Sequence, residues 1–109
     1  MITWGDFEKV EIRTGTIIKA EDFAEARKPA FKLSIDFGEL GIRKSSAQLT
    51  TLYTKEQLTG MQVVAVVNFP PKQIGPFISE CLVLGAIADN DEVTLLLTER
   101  KVMNGLKIA

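Results

Sequence analysis

A chain of 109 residues, 46% hydrophobic and 25% charged, is expected to form one globular domain around one core, not a disordered or fibrous chain. The absence of histidine and the single cysteine exclude Ser-His-Asp and Cys-His catalysis, an internal disulfide and a thiolate metal cage, so a binding protein without metal or cofactor is expected instead of an enzyme. The net charge of -1 gives no bulk attraction to nucleic acid.

The start, M-I-T-W-G-D-F-E-K, lacks the basic and apolar segments of a secretory signal. No apolar run approaches the roughly 20 residues that span a bilayer. Membrane insertion is therefore not expected, and a cytoplasmic location is. Thr3 and Asp6 have the spacing of a capping box, which predicts a short helix over residues 3–9. Val10 to Ala20 alternates as a strand does, with Gly15 at its middle predicting a bulge or bend. Residues 21–29 are polar and end in Pro29, so a loop is expected. Phe31, Leu33, Ile35 and Phe37 then alternate with Lys32, Ser34 and Asp36, the clearest strand signal in the chain.

G-E-L-G, 38–41, predicts a turn, and I-R-K-S-S-A, 42–47, a hairpin partner. Thr54 and Gln57 form a second capping box, closed by Gly60, for a helix of under two turns. Residues 61–69 read as a strand. The stretch N-F-P-P-K-Q-I-G-P-F-I-S-E, 68–80, holds three prolines and a glycine and predicts a stiff loop with little strand in it. A fifth strand is expected within Ser79–Ala88, then a turn at 88–91 and a short strand in E-V-T-L-L-L-T.

Three strands, a short helix and two strands make the pattern of an OB-fold, a small five-stranded Greek-key barrel, here over about residues 10–88. Its 1–2 and 4–5 connections flank the binding face. The proline-rich segment is the 4–5 connection, and A-R-K-P-A-F-K lies at the 1–2 connection. From Arg27 to Lys44 there are five basic residues (Arg27, Lys28, Lys32, Arg43, Lys44) against Asp36 and Glu39. This local excess is either a solubilising surface or a phosphate-binding edge.

Several quoted blocks, D-F-E-K-V-E-I-R-T-G-T-I, K-L-S-I-D-F-G, S-S-A-Q-L-T, V-V-A-V-V-N-F-P-P-K and S-E-C-L-V-L-G-A, resemble the tRNA-binding domain family over nearly the whole chain and in the family's order. The family includes domains appended to some aminoacyl-tRNA synthetases and small free-standing dimers. The details S-S-A-Q-L-T, N-F-P-P-K and E-I-R-T-G are similar to its free-standing, chaperone-like branch linked to protein export. The resemblance implies an OB-fold homodimer that binds tRNA and unfolded or precursor polypeptides. A purely structure-specific tRNA-binding protein is the alternative. In A-R-K-P-A-F-K-L the chain departs from the synthetase-type pattern. Phe31 replaces an acidic residue there, which predicts a more apolar groove edge.

Lys32, Arg43, Lys44 and Lys72 are the candidate phosphate contacts. Lys72 follows Pro70 and Pro71, so little conformational entropy is lost when it meets an anion. Ser46 and Gln48 bracket Ala47 and face one way, either as a polar strand end or as readers of bases or peptide. Asn68 is either a turn-forming amide or a side chain presented to ligand, and the resemblance favours the latter. Ser79 and Glu80 are expected to begin the fifth strand, with Glu80 accepting from a base or orienting Asn68 or Lys72. Phe69, Ile74, Phe77 and Ile78 either join the core or line the groove, where an aromatic face stacks on a base or takes an apolar side chain. Cys81 is expected to pack as a small hydrophobe. Val93, Leu95, Leu96, Leu97, Val102, Met103, Leu106 and Ile108 lie beyond the barrel. They either cap it or, with Trp4 and Phe7, form a two-fold interface.

Overall fold

The computed structural model describes residues 1–109. Thr3 caps helix α1 (Trp4–Glu8) through the predicted reciprocal box with Asp6. Strand β1 (Ile12–Asp22) follows, then β2 (Phe31–Asp36), a single 3-10 turn at Gly38–Leu40, and β3 (Ile42–Ala47). Helix α2 (Lys55–Leu58) starts at the second box, Thr54 with Gln57, and ends at Thr59 before Gly60. It drives Leu58 fully into the barrel, which also buries Ile17, Leu33, Ile35, Phe37 and Val63. Each such side chain contributes roughly 1.5–3 kcal/mol through apolar burial.

The barrel strands run β3-β2-β1-β4-β7, with β4 at Gln62–Val66 and β7 at Leu82–Val83. The barrel is nearly closed by the segment just before β7. Glu80 N–H donates to Lys44 C=O at 2.7 Å, and Lys44 N–H donates to the Glu80 carboxylate at 3.0 Å. Ser45 Oγ donates to Cys81 C=O at 2.9 Å from a buried position. Five strands, this closure and a helix between the third and fourth make the OB-fold expected from the pattern.

Gly15 does not mark the bulge. A Cβ there would lie 2.6 Å from Phe37 Cε1 and 2.7 Å from Ile35 Cγ2, so glycine is required by the close approach of side chains in and just after the neighbouring β2. The pairing Ile17↔Ile35 followed by Lys19↔Ser34 puts the irregularity at Ile18 instead.

The proline-rich segment is also more ordered than a loop. It contains a hairpin of β5 (Lys72–Ile74) and β6 (Phe77–Ser79), turned by Gly75 and Pro76. Gly75 has φ +58, and proline follows with its fixed negative φ, the sign pattern of a II′ turn. Each strand has three residues, too few for a period of two to show among prolines. Beyond β8 (Gly85–Ile87) and β9 (Val93–Leu95), the tail returns to β1. Thr14 N–H donates to Leu106 C=O, Gly105 N–H to Thr14 C=O and Ile108 N–H to Ile12 C=O. The tail thus occupies the edge of β1 that β2 leaves open.

Candidate nucleic-acid interface

Burial of Phe31, Leu33 and Ile35 turns Lys32, Ser34 and Asp36 to the outer face of β2. On β3, burial of Ser45 turns Lys44 and Ser46 outward. The register then places Lys32 across from Ser46 on one side and Glu21 on the other, and Ser34 across from Lys44 and Lys19. Two polar rows thus cross the outer sheet, Glu21–Lys32–Ser46 with its cation at the centre and Lys19–Ser34–Lys44 with cations at both ends. Lys19 is partly neutralised by Glu21 at 3.6 Å, whereas Lys32, Lys44, Lys72, Arg27 and Lys28 take part in no ion pair. Gln48 is exposed just past β3.

The two connections meet at one end of this face. Phe77 of β6 packs on Phe23 with ring centroids 5.3 Å apart and an interplanar angle of 58°, a pair worth about 0.5–1.5 kcal/mol. Lys32 Nζ lies 5.8 Å from the Phe23 centroid. Phe23 is the site residue that sequence reasoning missed. Its signal was a lone aromatic in an otherwise polar segment.

Beside the hairpin lies a depression of about 330 Å³, lined by Phe69, Pro70, Lys72, Ser79, Glu80, Cys81 and Leu82. A second, of about 310 Å³, is lined by Lys44, Pro76, Phe77, Ile78 and Glu80. Glu80 is shared by both. Phe69, Ile78 and Leu82 remain about half exposed around them, while Ile74 and Phe77 are partly buried.

Five expectations change. Phe31 is 6% exposed and belongs to the core, so it does not make the groove edge apolar. Ser79 ends β6 and Glu80 precedes β7, so neither begins the fifth strand. Glu80 orients the Lys44 backbone instead of Asn68 or Lys72. Arg43 is turned inward, its Nη1 donating to Val67 C=O at 2.7 Å. Asn68 engages backbone on both sides of its amide, accepting from Glu11 N–H at 3.0 Å and donating to Lys9 C=O at 2.7 Å.

Residues 12–107 match the model of the tRNA binding domain family. The chain belongs to the tRNA-binding domain family. The match is to a binding domain and not to a catalytic one. Among solved structures, the chain is similar to the chaperone CsaA of Bacillus anthracis, 50% identical, with a TM-score of 0.96 over 100% of this chain and 99% of that one. The CsaA chaperone protein of Picrophilus torridus is 54% identical, with a TM-score of 0.93 over 100% of both chains. The domain is also 35% identical over 105 residues to the methionine–tRNA ligase of Methanococcoides burtonii, covering 96% of this chain and 15% of the ligase. It therefore spans about 15% of the length of such ligases. The similarity to CsaA agrees with the resemblance of S-S-A-Q-L-T and N-F-P-P-K to the free-standing branch of the family.

Proposed function

We propose that this domain binds tRNA on the outer face of β1–β3 and holds unfolded or export-bound polypeptide at the adjoining β5–β6 hairpin. The observation that carries the proposal is the convergence at the hairpin of unpaired cations and exposed apolar groups. Lys32, Lys44 and Lys72, with Arg27 and Lys28 on the loop, supply phosphate contacts. Ser46 and Gln48 reach sugar hydroxyls or base edges. Arg43 contributes mainly by holding Val67. The polypeptide half rests on Phe69, Ile78 and Leu82 around the 330 Å³ depression and on similarity to CsaA chaperones. A homodimer acting in the cytoplasm completes the proposal.

Phosphate binding releases counterions, so tRNA affinity falls with salt, whereas apolar polypeptide binding persists and carries a negative heat-capacity change. Fluorescence anisotropy of labelled tRNA and of a labelled unfolded polypeptide, each across a salt series, separates the two. Lys72→Ala should weaken tRNA binding and reduce the log–log salt slope by roughly 0.7–0.9, the share of one phosphate. An unchanged slope would remove Lys72 from the interface. Salt-tolerant polypeptide binding with negligible tRNA affinity would leave the chaperone activity alone standing.

A further inference from the structure

The root of the hairpin arm is tied to two distant parts of the chain. Val67 N–H donates to Glu11 C=O at 2.9 Å, and Arg43 Nη1 donates to Val67 C=O at 2.7 Å. The next residue, Asn68, is exposed, yet its Oδ1 accepts from Glu11 N–H at 3.0 Å and its Nδ2 donates to Lys9 C=O at 2.7 Å. These side-chain bonds cross 57 and 59 residues of sequence. They grip the short segment that joins α1 to β1. Immediately after this root come Phe69, Pro70, Pro71 and Lys72. The two prolines have fixed φ, so the arm is stiff and its direction is inherited from its root.

We infer that Asn68 is a positioning residue for ligand binding, setting where Lys72 and Phe69 stand by clamping the arm to residues 9–11. This rests on the proposed role of Lys72 at the groove. With both ends of its amide engaged by backbone, Asn68 acts through the arm and not by touching ligand itself. The clamp also links two remote surfaces. A displacement of residues 9–11, which carry α1 and its exposed Trp4, moves the root of the arm and with it the Lys72 ammonium.

The test is tRNA anisotropy across a salt series for wild type, Asn68→Ala, Lys72→Ala and the double variant. Asn68→Ala should weaken binding roughly 3- to 10-fold, the equivalent of one ordinary hydrogen bond. It should also lower the salt slope nearly as much as Lys72→Ala does, and the double variant should bind no more weakly than Lys72→Ala alone. A role in stability alone leaves the slope of the folded protein unchanged. Additive losses, or an unchanged affinity and slope, overturn the inference.

If Asn68→Ala does not fold, nuclear magnetic resonance of the wild type decides. Addition of tRNA should shift the Glu11 amide together with that of Lys72, and a shift at Lys72 with Glu11 unmoved overturns the clamp. Wild type that binds neither tRNA nor unfolded polypeptide overturns the proposed function and the inference with it. Wild type that binds while the variants behave additively overturns the inference alone.

Discussion

Cys81 sits 6% exposed where the hairpin enters the barrel, its carbonyl held by Ser45. Burial pushes its thiol up from 9.0 to about 11, against the opposing pull of Ser45 and Arg43. The folded state therefore holds the proton more tightly than the unfolded chain does. This contribution to stability is whole below about pH 9.0, the thiol's ordinary value, and is lost as pH climbs to about 11. Urea denaturation between those limits should show falling stability in the wild type and a flatter profile in Cys81→Ala. The Lys55 ammonium, held by Asp22 at 2.9 Å, is also raised above its ordinary value of 10.5. Its decline comes at higher pH and survives in the variant. The burial of Cys81 was legible from its apolar neighbours. The roles of Asn68 and Glu80 were not, because their partners lie 57 to 59 and 36 residues away.

The C-terminal tail shows what one side chain does for a whole element. Gln62 of β4 donates to Val102 C=O at 2.7 Å and to Asn104 Oδ1 at 3.0 Å, and it accepts from Thr98 Oγ1 and Val102 N–H, both at 2.9 Å. Buried Thr14 adds the other clasp, donating to Met103 C=O and accepting from Leu106 N–H. Gln62→Ala leaves several half-buried partners unsatisfied and should cost roughly 1–3 kcal/mol. Hydrogen exchange would locate the loss. Protection of the Gly105 and Leu106 amides should fall before that of the β1–β4 ladder, and uniform loss would mean that the tail and barrel open together. The strand β2 was plain in the sequence because one of its faces is fully buried. The tail's pairing gave no sequence signal, since its few backbone bonds to β1 form no regular strand and are secured by the Thr14 and Gln62 side chains.

At the scale of the whole molecule, the near-zero net charge conceals an uneven surface. Cations gather at the β1–β3 face and the 1–2 loop, while the opposite character appears at α1. There Ile2, Trp4, Phe7 and Ala109 line a concavity of about 720 Å³, and Trp4 is 87% exposed. No residue of α1 is buried. Single exposed apolar residues are ordinary, but a contiguous group of this kind marks an interaction surface. In the proposed homodimer it meets its own copy across a two-fold axis. Sedimentation should then give twice the 12.0 kDa chain mass for the wild type and one chain for Trp4→Glu, with the circular dichroism of the barrel retained. A wild-type monomer at tens of micromolar would remove the dimer from the proposal. The N-terminal helix was legible from its capping box. That it stands clear of the barrel was one of the two readings the sequence left open.

By itself the sequence determined the elements whose signals are local. These are the two capping boxes, the alternation of β2, the hairpin to β3 and the strand–helix order of an OB-fold, because caps and period-two burial are set by residues close along the chain. Only the tertiary structure decided the rest. It turned Gly15 into a close-contact glycine, Phe31 into core, the proline segment into a hairpin on Phe23, Glu80 into the barrel's closing acceptor and Asn68 into a clamp. Each of those roles belongs to a pair of residues far apart in sequence, and closing the barrel is what brings the two together.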